Sequence, residues 1–142
     1  MMIVDANLLL YAYDAKSPHN RRAQRWMSEV LSGTEIVGLP WQSVAAFLRV
    51  ASNPRLHGER PSIERLAVVV DSWFQQPNVR LLSPGERHWT LLRRMMVDGQ
   101  AHGPQITDAQ LAALTIECGG TLYSVDRDFG RFPGLRWVNP IA

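Results

Sequence analysis

The chain has 142 residues, 46 % of them hydrophobic and 20 % charged, with a net charge of +2. That is one domain of ordinary size with enough apolar surface for a core, and the composition excludes wholesale disorder. A single cysteine, Cys118, excludes an internal disulfide, and no apolar run reaches the roughly 18–20 residues that a membrane span needs. The acid at position 5 precedes any basic leader region, so a soluble, intracellular (cytoplasmic, bacterial) protein with no membrane partner is the expectation.

Residues 2–5 predict a strand, with β-branched Ile3 and Val4 before Asp5. The next element read is a helix opening at Ser17-Pro18, with Ser17 as N-cap and Pro18 in its first turn. Ala23, Trp26, Met27, Val30 and Leu31 recur at helical spacing, and Gly33 ends the run. EIVGLP (35–40) predicts a strand, 41–52 a helix stopped by Ser-Asn-Pro, and RLHGERP (55–61) a polar loop. Ile63, Leu66, Ala67, Val70, Trp73 and Phe74 mark an amphipathic helix, and NVRLLS (78–83) a strand. Ser83-Pro84-Gly85-Glu86 reads as a capping box for a helix through about Val97. Thr107-Asp108-Ala109-Gln110 reads as a second, its helix closed by Gly119-Gly120. Strands are expected at TLYSVD (121–126) and LRWVN (135–139).

Strands and helices alternate, which argues for a mostly parallel sheet of four to five strands with helices on both faces. In such folds ligand sites lie at the carboxyl ends of strands. Asp5 and Asp126 end strands there, Asp128 follows two residues later, and Asp108 opens a helix that points to the same edge. Gathered carboxylates repel one another, and a hard cation such as Mg²⁺ or Mn²⁺ offsets that cost. Each acid also has a plainer reading. Asp108 suits a helix dipole, Asp126 and Asp128 suit a turn before Gly130, and Asp5 suits a helix cap. The combination carries the argument. His19, His57, His88 and His102 are dispersed and have no zinc-like spacing.

Of the 15 basic residues 14 are arginine, the better fork for phosphate. With the four acids set aside, nine remain against 15 bases, leaving a surface of about +6. Arg21, Arg22 and Arg25, Arg93 and Arg94, and Arg127 with Arg131 form local basic groups, each equally at home on an ordinary solvated face. Trp41 and Trp89 could stack on bases, but core packing is the expectation for both. Cys118 is expected at a helix end as a structural thiol.

The stretches IVDANLLLYAYD, LPWQSVAAFLRVASNPR and ITDAQLAALTIECGGTLYSVDRDFGRFPGLRW together resemble the PIN-domain ribonucleases. The similarity is strongest to the VapC toxins of bacterial toxin–antitoxin systems in their mycobacterial-type branch, and it covers almost the whole chain. It implies a single PIN-like, three-layer α/β domain over 1–142. It also implies Mg²⁺ or Mn²⁺ bound by Asp5, Asp108 and Asp126 as catalytic residues. The implied reaction is cleavage of structured RNA, tRNA by analogy, to a 5′-phosphate and a 3′-hydroxyl, with inhibition of translation and growth. A homodimer is implied as well, with a VapB-like antitoxin in a larger complex. The apolar stripes at 63–74 and 89–96 are candidates for those contacts, although most of their residues are expected in the core. Asn7, Ser124 and Asp128 fall where supporting residues belong.

One departure matters. The family's glutamate on the helix after the second strand falls here on Val44 or Ala46, and neither can bind a cation. Gln42 or Ser43 could contribute an oxygen or hold a water, whereas Glu59 and Glu64 lie too far along. The alternative is therefore a non-catalytic module that binds RNA or an antitoxin. A phosphoacceptor receiver domain fits less well, because it wants a late-strand lysine and the one lysine is Lys16.

Overall fold

The computed structural model describes residues 1–53 and 61–142. The loop expected at 55–61 therefore falls, apart from Pro61, outside the described residues, and so do His57 and Glu59. Five strands, β1 (Met2–Val4), β2 (Val37–Pro40), β3 (Val79–Leu82), β4 (Thr121–Tyr123) and β5 (Trp137–Val138), form one sheet in the order β3-β2-β1-β4-β5. Every pairing is parallel, with Met2 opposite both Val37 and Thr121. β1 is the central strand. The chain builds outward to one side through β2 and β3, then to the other through β4 and β5. The carboxyl end of β1 is thus the switch point at which an open α/β sheet leaves a crevice.

The period-two alternation of a strand divides the core. Met2, Val4, Val37 and Leu39 face one layer, made by α1 (Ala6–Tyr13), α2 (Asn20–Leu31), α3 (Trp41–Ala51) and α4 (Ile63–Phe74). Ile3 and Leu122 face the other, made by α5 (His88–Asp98), α6 (Gln105–Glu117) and a 3-10 turn at Arg127–Arg131. Gly38 lets β2 lie flat between them, because a Cβ there would overlap the Leu82 side chain and stand 3.1 Å from Ile3 Cδ1.

Five readings need correction. Helix α1 was given no element by the sequence pattern. ANLLLYAY is nearly apolar throughout, so no 3.6-residue stripe stands out, yet Asp5 caps it by accepting from Ala6 N at 2.7 Å. Helix α2 begins at Asn20 rather than at Ser17-Pro18; Ser17 instead closes a turn, its hydroxyl accepting from His19 N at 3.1 Å. The capping box at Ser83–Glu86 does not form. The Glu117 carboxylate at the end of α6 replaces it, accepting from Gly85 N at 2.9 Å and Arg87 N at 3.1 Å. Likewise α6 starts at Gln105, so Thr107 and Asp108 lie inside its first turn rather than at its cap. Finally, Trp41 and Trp89 are not core residues: they are 54 % and 62 % exposed. Cys118 does lie at the end of α6, half-buried, with burial raising its thiol pKa.

Candidate active site

Asp5 leaves β1 in extended backbone and turns directly into α1, so its carboxylate is fixed at both oxygens. Oδ1 accepts from Ala6 N at 2.7 Å, and Oδ2 accepts from the Ser124 hydroxyl at 2.7 Å. Ser124 follows β4, the neighbour of β1, and is fully buried. Its oxygen also takes hydrogen bonds from Asn7 Nδ2 at 3.1 Å and from Asp126 N at 3.0 Å. One hydroxyl therefore ties together Asp5, Asn7 and the backbone of Asp126. Asp126 in turn accepts from Asp128 N at 2.9 Å through Oδ1, capping the 3-10 turn. The plain cap and turn readings are correct for Asp5 and Asp126, and both acids nonetheless stand at the sheet's carboxyl edge.

Asp108 arrives from the opposite side, on the first turn of α6. Together with Asp5 it lines a cavity of about 410 Å³ whose further walls include Gln42, Ser43, Ala46 and Arg49 from α3. Gln42 locks the two helices together, donating from Nε2 to Thr107 O at 2.7 Å. Asp126 and Asp128 stand outside this cavity, but their charges reach into it. Burial first, then the charges of Asp126, Asp5 and Asp128, push the Asp108 carboxyl up to about 6, against a smaller opposite pull from Arg131. Burial likewise raises Asp5, more than the Ser124 and Ala6 hydrogen bonds lower it, and Asp126 adds to the rise. Burial and neighbouring negative charge both disfavour the ionised carboxyl, burial being the larger for each of the two acids.

The groups that could hold a cation are Asp5 and Asp108, with Asp126 behind them. Among the described residues no three carboxylate, imidazole or thiol groups stand close enough to cage an ion. The donor set fits a hard cation that keeps several waters and takes one or two carboxylates, the habit of Mg²⁺. Ser43 strengthens the fit: its Oγ is buried in the cavity wall without a partner, and such an atom calls for water or an ion. Asn7 Oδ1 is buried and unpaired as well.

The place where a helix-borne glutamate is expected resolves into Ala46. Val44 is buried in the core, whereas Ala46 faces the cavity. One turn further, Arg49 brings a guanidinium to the same wall, and it makes no hydrogen bond or ion pair with the described residues. Arg49 escaped the sequence reading, although its spacing of three from Ala46 puts both on one helix face.

An acidic crevice at the switch point of a five-stranded parallel sheet defines the class, and the chain belongs to the PIN-domain family, whose model matches residues 2–135. Within that family it falls among the VapC ribonucleases. It is 39 % identical to ribonuclease VapC37 of Mycobacterium tuberculosis over 142 residues, 100 % of this chain and 99 % of that one. Ribonuclease VapC33 of the same species is 37 % identical over 99 % of both chains. Among solved structures, VapBC2 from Rickettsia felis, bound to a DNA fragment from its promoter, superposes with a TM-score of 0.70 at 13 % identity. It covers 97 % of each chain. The sarcin–ricin-loop-cleaving toxin VapC20 of M. tuberculosis gives 0.68 at 18 % identity, over 96 % of this chain and 99 % of that one. At such identities the structures speak for the fold.

Proposed function

We propose that this chain is the toxin of a toxin–antitoxin pair, a Mg²⁺- or Mn²⁺-dependent endoribonuclease that cuts structured RNA, tRNA foremost, and so arrests translation and growth. The observation that carries this reading is the approach of Asp5 and Asp108 across one cavity, with the Asp108 carboxyl pushed up to about 6 by burial and by its acidic neighbours. A cation bound there supplies an activated water and neutralises charge developing on the phosphate oxygens.

The chain's own residues do the rest. Asp5 and Asp108 would hold the cation from opposite walls of the cavity, with the negative charge of Asp126 behind them. Ser124 fixes the rotamer of Asp5 by donating to Oδ2, and Asn7 holds Ser124. Gln42 ties α3 to the first turn of α6 through Thr107 O, and the unpartnered Ser43 Oγ in the cavity wall would offer an oxygen to a water there. Arg49, among the described residues the one cationic side chain lining this cavity, would meet the phosphate in a charge-assisted contact. Arginine-rich flanks add sequence-independent hold on the backbone. Purified protein with Mn²⁺ should cleave total tRNA, leaving 5′-phosphate ends, and the Asp5→Asn protein should not. Equal cutting by both defeats this mechanism.

A second reading rests on Ala46, which leaves the expected glutamate place without a ligand. A module that binds RNA or an antitoxin without cutting would show no Mn²⁺ binding by calorimetry at neutral pH. For the partners, a homodimer and a VapB-like antitoxin are the expected assembly. Ile63 and Val68 on α4, and Trp89 and Val97 at the two ends of α5, expose apolar surface for such contacts.

A further inference from the structure

A second pocket lies beside the acidic cavity along the carboxyl edge of the sheet. It encloses about 230 Å³ between Trp41 at the start of α3, Leu82 and Pro84 after β3, His88 on α5 and Gln110 on α6. Gln42 is common to both walls, so the two pockets are separated by a single side chain. At roughly 30 Å³ per liquid water the pocket has room for a planar ring system and is too large for a lone structural water.

Three side chains of this pocket are left uncovered or unpartnered by the rest of the described chain. The first is Trp41: an indole 54 % exposed on the first turn of a helix whose other aromatic side chain, Phe47, is wholly buried. A face of that size left in water is unfavourable unless something covers it. The second is His88, whose Nδ1 is buried without a hydrogen-bond partner. The third is Gln110, whose amide makes no hydrogen bond with the described residues. The pocket thus combines a flat π surface with unused hydrogen-bonding capacity around it. Unpaired bases are recognised by that combination, stacking on an aromatic face and offering polar edges. Its adjacency to the acidic cavity suggests the occupant: a strand whose phosphodiester lies at Asp5 and Asp108 and which runs along the sheet edge toward β3 passes Gln42 and reaches Trp41.

We propose that the Trp41 pocket is a nucleobase subsite, which takes an unpaired base next to the phosphodiester held at the acidic cavity. The proposal rests on the ribonuclease reading and adds to it a reason for preferring single-stranded segments, because a paired base cannot lay its face on the indole.

The test uses the full chain carrying Asp5→Asn, so that binding is read without cutting. The probes are a short fluorescein-labelled single-stranded RNA and a ribose-phosphate strand of the same length that lacks bases. Adding Trp41→Ala should weaken binding of the base-bearing strand roughly tenfold or more by fluorescence anisotropy. It should leave the abasic strand unchanged, and Trp41→Phe should restore most of the loss. That rescue separates a stacking role from misfolding. Unchanged RNA affinity in Trp41→Ala overturns the proposal, as does an equal loss for both strands, which would make Trp41 a backbone contact. A change in oligomeric mass without a change in RNA affinity also overturns it, in favour of a protein interface. Cleavage by the protein with and without Asp5→Asn is scored separately, so failure of the ribonuclease reading is not mistaken for failure of the subsite.

Discussion

Ser124 shows how much one buried hydroxyl can organise. It donates to Asp5 Oδ2 and accepts from Asn7 and from the backbone of Asp126. Ser124→Ala should leave the fold intact at a cost of about 1–3 kcal/mol in urea denaturation, because Asn7 and Asp126 N lose a buried partner. Cleavage or Mn²⁺ affinity should fall roughly 10–100-fold, the usual consequence of removing a group that orients a metal-binding side chain. Arg49 is the complementary case. Arg49→Ala should raise KM for RNA about tenfold in steady-state assays with little change in Mn²⁺ affinity, if, as proposed, the guanidinium serves the phosphate rather than the ion. Ala46→Glu should do the opposite, strengthening Mn²⁺ binding in calorimetry by restoring a carboxylate to the cavity wall.

At the scale of elements, helix starts are decided by partners distant in sequence. The amide groups before α5 are held by Glu117 from the end of α6. Glu117→Ala should therefore destabilise the protein by about 0.5–2 kcal/mol, as loss of a local cap would, although the residue lies some 30 positions away. Gly38 carries a different load. Gly38→Ala forces a Cβ against the Leu82 side chain and close to Ile3 in the middle of the sheet. It should cost about 1–3 kcal/mol of overpacking, read as a lower denaturation midpoint with unchanged slope.

For the whole molecule the acid cluster is a stability cost at neutral pH. The folded chain holds the Asp108 proton up to about pH 6, whereas an ordinary aspartate releases it near 3.8, and Asp5 is raised as well. Between these values Asp108 keeps a proton in the folded state that the unfolded chain has released, so the stability it contributes is greatest below about pH 3.8. It falls as pH rises toward 6 and is level above that. In EDTA the melting temperature should decline across that window, and Asp108→Asn should flatten the decline. Added Mn²⁺ should raise the melting temperature at pH 7 and much less at pH 5, where protonated carboxyls compete with the ion.

The sequence by itself determined the parallel α/β architecture, because alternation of strand and helix patterns leaves few other ways to bury both sheet faces. It also raised the expectation that Asp5, Asp108 and Asp126 share one edge, since strand ends and the first turn of a following helix point the same way, but convergence itself lay beyond it. Helix α1 was hidden by an apolar run with no stripe, and the α5 and α6 starts were misplaced because local capping motifs were outbid by Glu117 and by an earlier turn at Pro104. The exposure of Trp41, the seat of Ala46 rather than Val44 in the cavity and the arrival of Arg49 beside two carboxylates were decided by the tertiary structure alone. Each depends on how α3 is seated on α1 and α4 in one core layer while α6 belongs to the other, with the Gln42–Thr107 hydrogen bond joining the two across the sheet edge.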